Sequence, residues 1–345
     1  MNIRIELKRI VSLLLVSSIA LTSCHSVSVN QASDSNVIID AANNKLSIKE
    51  NAETLTAASV YAVAVPFFSA LKMTDRVKAV NTKSKFWKEV DEYLDKADTI
   101  GKGTVDLEKL AKINPSCLVH RSNDKKTVDA VKKLGIDVLR IRVESVEDVI
   151  YTLDIMGKYF GREKEAQEVI EYIRNKFDKI DNIVKNIKEE EKKTAIVMGG
   201  TLGRVAGSDM LQSFMINKAG GVCKVLEKKD SNWVDIGVEK IFEYNPDYIF
   251  LTSSTSLDYD EEELLNSSTW SAMKAVKDNK IFKIPSKMDS WDMPGISCVV
   301  GTMYMLYKMY PEYFSKEELQ EEIDEYYNLM FGKTFDKNYL GYILE

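Results

Sequence analysis

Histidine and cysteine, which supply many of the metal sites in proteins, are scarce in this chain. Its 345 residues include two histidines and four cysteines. No two cysteines form a Cys-x-x-Cys pair, so the sequence predicts neither a disulfide framework nor a structural zinc site. With so few histidines, a bare zinc or manganese ion held by several His and carboxylate ligands is not expected either. We expect three of the cysteines to be small buried apolar residues, namely Cys117, Cys223 and Cys298.

Catalytic motifs are missing as well. The sequence contains no Gly-x-Ser-x-Gly elbow. His120 is the one histidine of the protein body that could pair with a nucleophile, and acidic pairs such as Asp258 and Asp260 fall in solvated runs. We therefore expect a binding protein and no enzyme. An extracytoplasmic hydrolase, or an oxidoreductase with a chelated cofactor, is the alternative.

The apolar run near the start of the chain is too short to cross a bilayer. Arg4, Lys8 and Arg9 precede it, and it covers residues 10–21, whereas a spanning helix needs about 20 apolar residues. This layout is typical of a secretory signal peptide, which we assign to residues 1–23. Its removal takes away three basic residues and one acidic residue, so the formal charge changes from −6 to −8. A net acidic body argues against nucleic-acid binding.

The signal ends in Leu21-Thr22-Ser23-Cys24, which resembles the lipobox at which bacterial lipoproteins are cleaved and lipidated. We expect lipid on Cys24 to anchor the protein at the extracytoplasmic face of the cytoplasmic membrane. The polar residues that follow predict a flexible tether, so residues 24–50 are assigned to the lipidated cysteine and tether. An ordinary signal peptide with an incidental cysteine is the alternative.

The rest of the chain, about 300 residues, is more than one hydrophobic core usually serves, so two domains are expected. Short apolar runs alternate with amphipathic stretches, as in parallel sheets with crossover helices. Strands are predicted at residues 54–58, 77–80, 117–120, 138–141, 194–198, 248–251 and 280–284. Between the two halves, apolar residues recur every three or four positions from Arg162 to Ile187, which predicts one helix roughly 40 Å long.

An internal repeat supports the division into two halves. Residues 105–120 and 236–251 align without a gap and share Glu108/Glu239, Lys109/Lys240, Asn114/Asn245 and Pro115/Pro246. Each copy predicts one helix, an Asn-Pro turn and one apolar strand. The pairs Leu107/Val238 and Leu110/Ile241 predict the buried face of that helix. Two copies separated by a long helix favour a duplicated α/β pair.

The order and spacing of several segments, at residues 101–108, 157–166, 245–250, 270–282 and 291–295, resemble the substrate-binding proteins of ABC importers for ferric siderophores, haem and cobalamin. The resemblance covers nearly all of the mature chain. It implies an α/β fold of two Rossmann-like lobes with parallel sheets, joined by one long rigid helix, with the ligand cleft between the lobes. The N-terminal lobe would span residues 51–160, the connecting helix 161–191, and the C-terminal lobe with its terminal helices 192–345.

Ligands of open α/β sheets bind beyond the carboxyl ends of the strands, which places several loops at the cleft. Tyr61 lies in the first of them. Arg121 and Arg204, one from each half, are candidates for binding an anionic group. Large aromatic side chains that could face a flat ligand are Trp233, which matches an aromatic position of the family, and Trp291. Met293 is a further candidate for binding the ligand. His120, together with Met198, Met288 or Met293, is a possible axial ligand of haem iron.

The sequence predicts no intrinsic cofactor and leaves the identity of the ligand open. A ferric siderophore is our first expectation, haem the second and cobalamin the third; a sensor that docks on a membrane receptor is a further alternative. The resemblance implies that a monomer delivers the ligand to an ABC permease dimer, with one glutamate of each lobe facing the permease. The matching positions here are Glu108 and Glu239.

Overall fold

The computed structural model describes residues 36–82, 84–229 and 232–341. The signal peptide, Cys24 and His25 lie outside these residues. Across the described part of the chain, no helix is both long and apolar enough to pass through a membrane.

The described chain begins with a β-hairpin. Strands β1 (Val37–Ile39) and β2 (Lys45–Ser47) pair antiparallel. The carboxylate of Asp40 closes their turn by accepting hydrogen bonds from the backbone N–H groups of Ala42 and Asn44, at 2.9 and 2.8 Å. It also forms a buried ion pair with Arg140 Nε at 3.0 Å. The assignment of residues 36–50 to a flexible tether was therefore wrong, because this ion pair fixes the hairpin to the N-terminal lobe.

The N-terminal lobe has one five-stranded sheet with helices around it. Its strands are β3 (Ala57–Ala58), β4 (Val77–Val80), β5 (Asp98–Thr99), β6 (Cys117–Arg121) and β7 (Asp137–Ile141). Its helices are α1 (Val65–Ala70), α2 (Lys85–Val90), α3 (Glu92–Lys96), α4 (Leu107–Ile113), α5 (Lys125–Lys132) and α6 (Val146–Phe160). All neighbours in the order β5-β4-β3-β6-β7 are parallel, as predicted. The carboxyl ends of the strands consequently lie at one edge.

Helix α7 (Glu163–Val184) connects the lobes. With 22 residues it is about 33 Å long, shorter than the predicted helix over 161–191. It packs on α1 and α6 of the N-terminal lobe through the apolar face that its periodicity predicts. That face is buried from Ala166 to Ile180 but only partly buried at Val184, where the helix ends.

The C-terminal lobe follows, with a six-stranded sheet. Its strands are β8 (Thr194–Met198), β9 (Arg204–Ala206), β10 (Val222–Cys223), β11 (Trp233–Asp235), β12 (Tyr248–Leu251) and β13 (Ile281–Lys283). Its helices are α8 (Leu211–Lys218), α9 (Gly237–Tyr244), α10 (Glu261–Asn266), α11 (Lys274–Lys277), α12 (Cys298–Met309), α13 (Lys316–Phe331) and α14 (Lys337–Leu340). Helix α7 also packs on α8 and α12.

This second sheet is mixed, whereas the prediction was a parallel one. In the order β11-β9-β8-β12-β13, strands β8, β12 and β13 are parallel, and β10 pairs parallel with β8. Strand β9 runs antiparallel to β8, and β11 antiparallel to β9. The cause is local: Gly199 N–H donates to the carbonyl of Arg204 at 2.7 Å, so the glycine-rich loop turns the chain straight back.

The internal repeat is confirmed as a structural repeat. Helices α4 and α9 each end at an asparagine with left-handed backbone, Asn114 with φ 49° and Asn245 with φ 40°, and strands β6 and β12 follow. Asparagine tolerates this conformation better than most residues, which explains why it ends both helices. Leu110 and Ile241 are fully buried as predicted, but Leu107 is exposed.

Helix α13 returns to the N-terminal lobe. It packs on both α12 and α1, and the ring of Phe331 stacks on Trp87 with centroids 5.3 Å apart. Residues 192–345 are thus not confined to one lobe. Because α1 follows the loop after β3, α13 connects that loop to the C-terminal half of the chain.

Candidate functional site

The carboxyl edges of the two sheets meet at a cavity of about 870 Å³. Ala62, Pro66, Ser84 and Trp87 line it from the N-terminal lobe, and the loops at 253–257 and 284–297 line it from the C-terminal lobe. Such a volume is within the usual range for small-molecule sites. The position at strand ends between two lobes makes it the candidate ligand cleft.

A smaller cavity of about 210 Å³ continues this cleft into the N-terminal lobe, and Ala62 lines both. Tyr61 and Arg121 meet here, as do Asn81 and Lys102. The guanidinium of Arg121 is half-exposed, donates from Nη2 to the carbonyl of Gly103 at 3.2 Å, and lies 3.7 Å from the Asp124 carboxylate. It therefore retains donors for a ligand.

Tyr61 is a neutral hydrogen-bond donor in this cavity. Burial, and next the negative charge of Glu144, raise the pKa of its phenol to about 12, although Arg121 acts in the opposite direction. Glu144 lies three residues after the end of β7 and lines neither cavity.

His120 lines the smaller cavity but is almost fully buried. Its side chain is only 1% exposed, and Nε2 lies 3.0 Å from Oδ2 of Asp124. Burial lowers the pKa of His120, so the neutral ring donates to the carboxylate. Burial alone would raise the pKa of Asp124, but hydrogen bonds from His120 and Thr127 lower it to about 2. The axial-ligand role of His120 stays a prediction, because Nε2 is held by Asp124 while Nδ1 has no hydrogen-bond partner.

Trp233 and Arg204 lie together in the C-terminal lobe. Both flank Gly199, where a Cβ atom would come within 2.8 Å of the Trp233 ring and 3.4 Å of Arg204 Cγ. The Arg204 guanidinium is half-exposed; its Nε is 4.0 Å from the Asp235 carboxylate and makes no hydrogen bond. Glycine at position 199 thus lets the indole reach the cleft edge of β8. Neither side chain lines the larger cavity itself.

Trp291 belongs to the core and not to the ligand surface. Its side chain is 0% exposed, its Nε1 donates to the hydroxyl of Tyr327 at 3.0 Å, and its ring packs edge-on against Tyr304. The prediction that it faces the ligand was wrong, because helix α13 covers it from the far end of the chain. Met293, two residues later, does line the larger cavity.

Comparison with known proteins decides the family of this two-lobed fold. The family model described as "Periplasmic binding protein" matches residues 58–288. The chain belongs to this family. Its members include substrate-binding proteins of ABC importers, and this binding protein is one of these and not an enzyme.

Three similar proteins illustrate the relationship. YvrC of Bacillus subtilis, an uncharacterized ABC transporter substrate-binding lipoprotein, is 24% identical over 286 residues, or 81% of this chain and 87% of YvrC. A periplasmic solute-binding protein of Veillonella parvula has a TM-score of 0.75 at 20% identity, covering 88% of this chain and 94% of that one. Molybdate-bound MolA of Haemophilus influenzae has a TM-score of 0.74 at 15% identity, covering 87% of this chain and 99% of the MolA chain.

The cleft loops of the binding protein are held by two buried aspartates that the sequence analysis missed. Asp292 accepts hydrogen bonds from the Thr252 hydroxyl and, at 3.2 Å, from the backbone N–H of Ser253, which joins the loop after β12 to the loop after β13. Asp289 accepts from the hydroxyls of Tyr326 and Tyr327, both at 2.7 Å. The second aspartate therefore fastens the cleft loop to helix α13.

Glu108 and Glu239 occupy equivalent places on the binding protein. Both side chains are exposed in the first turns of the repeated helices α4 and α9, one on each lobe. Among the described residues, neither forms a salt bridge. Among these residues there is also no group of three or more His, Cys, Asp or Glu side chains that could hold a metal ion.

Proposed function

We propose that the binding protein captures an anionic metal chelate, in the first place a ferric siderophore, and delivers it to its ABC permease. The observation that carries this proposal is the placement of one half-exposed arginine at the cleft edge of each lobe, Arg121 at the end of β6 and Arg204 at the start of β9. A guanidinium binds carboxylate or catecholate oxygens through two parallel hydrogen bonds. Two such groups on opposite lobes favour a ligand with anionic groups on opposite sides.

Aromatic and hydroxyl groups complement these charges. Tyr61 adds a neutral donor beside Arg121, and Trp233 adds an apolar ring beside Arg204. The loop at 253–256 contributes hydroxyl groups to the larger cavity. A catecholate chelate combines planar rings with negatively charged oxygens and would use both kinds of contact.

The burial of His120 favours an iron that is already chelated. Its side chain is only 1% exposed and Nε2 is held by Asp124, which leaves Nδ1 as the one ring nitrogen without a hydrogen-bond partner. Met293 offers a thioether sulfur at the larger cavity, but a single thioether is a weak substitute for a histidine ligand. Haem is therefore the second candidate. Cobalamin is the third, because it does not carry several anionic groups. The molybdate bound by MolA is itself an oxyanion, which agrees with an anion-binding cleft.

A ligand panel tests this proposal. Tryptophan fluorescence of the purified protein would be titrated with a ferric tris-catecholate, a ferric hydroxamate, haemin, cyanocobalamin and molybdate. We expect saturable quenching by a ferric chelate, and a tenfold or greater loss of affinity in both Arg121→Ala and Arg204→Ala. Arg174→Ala, which removes an exposed arginine of α7 outside the cleft, is the matched control. Tight binding of an uncharged ligand only, or full affinity in both cleft variants, would refute the proposal.

We further propose that Glu108 and Glu239 face arginines of the permease, and that a lipid on Cys24 holds the monomeric protein beside it. Exposure of both carboxylates at repeat-related positions supports the first statement, because a two-fold permease would meet one on each lobe. The lipobox-like sequence supports the second, and the similar protein YvrC is named a lipoprotein.

A further inference from the structure

Another cavity, of about 820 Å³, lies where α1, the start of α7 and the end of α13 meet, and it shares no lining residue with the ligand cleft. Ser69 of α1, Arg162 directly before α7, and Tyr172 of α7 line it. Three polar atoms of these side chains, Ser69 Oγ, Arg162 Nε and Tyr172 Oη, are buried and have no hydrogen-bond partner. Such atoms are rare in folded proteins and usually mark a bound ion or water.

A buried arginine next to this cavity strengthens the pattern. Arg76 is only 7% exposed; its Nη1 donates to the carbonyls of Ala52 and Phe160, but its Nε and Nη2 have no partner. Burial, and next the charge of Arg162, lower the pKa of Arg76, so the two guanidinium groups are close neighbours. Arg162 itself donates from Nη1 to Glu165 at 3.3 Å, which leaves its Nε unused. Two neighbouring cations with unused donors favour an anion between or beside them.

Four acidic groups line the cavity, and three of them are engaged. Glu168 pairs with Lys72 at 3.5 Å and Glu325 with Lys176 at 2.5 Å, while Asp91 caps helix α3 by accepting from two backbone N–H groups. The fourth, Asp75, acts on Arg76, since its charge opposes the lowering of the Arg76 pKa. The first turn of α7 has no side-chain cap, so its N–H groups are open to an anion, but it also carries Glu163 and Glu165. The buried side-chain atoms without a partner at this cavity, in Ser69, Arg162 and Tyr172, can all donate a hydrogen bond.

Ser69 and Tyr172 form part of the floor of the cavity and are 5% and 8% exposed. Burial, and next Glu322 and Glu325, raise the pKa of Tyr172 well above 10, so its hydroxyl is a donor at neutral pH. We propose that a small oxyanion of the carboxylate or phosphate class binds on this floor, held by Ser69 Oγ, Arg162 Nε and Tyr172 Oη with Arg76 behind. Its occupancy would stabilise the packing of α1, α7 and α13.

Thermal unfolding of the purified full-length protein tests this site. Midpoints would be measured at pH 7 in increasing potassium phosphate, acetate or chloride at constant ionic strength. We expect a saturable rise with phosphate or acetate but not chloride, on the order of 5 °C at about a hundred times the Kd. A rise with phosphate alone assigns the phosphate class, and with acetate alone the carboxylate class.

Four variants test whether the anion binds to these side chains. Ser69→Ala/Tyr172→Phe removes two unpartnered hydroxyls, so it should fold at least as well as the unaltered protein but lose the anion-dependent rise; Tyr172→Phe alone should weaken it. Ser84→Ala removes another buried unpartnered hydroxyl, in the cleft cavity, and should keep the rise. Arg121→Ala should keep it too, which distinguishes this site from an anion in the cleft. No saturable rise above chloride would mean that water fills the cavity, and an unchanged rise in the double variant would place the anion elsewhere; either result overturns the proposal.

Discussion

Replacing Trp291 by alanine should lower the free energy of unfolding without removing a contact to the ligand. The side chain is fully buried, and emptying such a site in a protein core costs about 3 to 5 kcal/mol of unfolding free energy. Loss of the Nε1 hydrogen bond to Tyr327 adds about 1 kcal/mol. The expected decrease is therefore about 4 to 6 kcal/mol. Trp291→Phe, which keeps most of the buried ring, should lose roughly half as much.

Trp233→Ala is the matched comparison, since this indole is half-buried and lies against Gly199 at the cleft edge of β8. We expect its unfolding free energy to change by less than about 2 kcal/mol, because only part of the apolar surface is buried. Its affinity for the ligand should fall by about 1 to 3 kcal/mol if the ring contacts the chelate.

Urea unfolding followed by circular dichroism gives both free energies, and titration of the folded variants gives both affinities. The affinity of Trp291→Ala should be measured without urea and at low temperature, where the variant remains folded. The reasoning would be refuted if Trp291→Ala retained its stability and lost affinity, because the indole would then contact the ligand and not helix α13. Equal destabilisation by both alanine variants would also contradict it.

Three further predictions follow from the buried aspartate, the exposed glutamates and the lipobox. Burial raises the pKa of Asp289 to about 6 from 3.8, although hydrogen bonds from Tyr327 and Tyr326 act against burial. The stability that protonated Asp289 contributes is thus complete below pH 4 and is lost as the pH rises through 6. Over this interval the unfolding free energy of the unaltered protein, measured with urea, should fall by up to about 3 kcal/mol relative to that of Asp289→Asn. Parallel pH curves for the two proteins would argue for an ordinary pKa. Glu108→Lys combined with Glu239→Lys should leave ligand affinity intact but abolish transport and ligand-stimulated ATPase activity, because like charges would meet at the permease; normal transport at normal surface levels would reject the docking role. Cys24→Ala should release the protein from the membrane fraction or leave it unprocessed, and a variant that is still lipidated would exclude this anchor.

Local sequence patterns predicted an element correctly where its structure depends on residues close to it in the chain. Strands β4, β8 and β12 have the predicted bounds; β8 and β12 are short apolar runs, and β4 is apolar except for the exposed Lys78. The turns at Asn114 and Asn245 were found through the repeat, since a left-handed residue must follow each helix before the next strand can begin. The short strands β9 and β11 were missed, because their pairing depends on the turn that starts at Gly199 and not on hydrophobic periodicity.

The sequence by itself determined the two α/β halves, the helix between them and the arginine that each half places at a strand end. Only the tertiary structure decided what surrounds the candidate side chains. Trp291 is an aromatic residue of the kind that can face a ligand, but α13 covers it. Residues 36–50 have the composition of a tether, but the ion pair of Asp40 with Arg140 fixes them. These partners lie 36 and 100 residues away along the chain. Side chains so distant leave no periodic signal in the sequence, because their contact depends on how helices and sheets pack and not on the local course of the backbone.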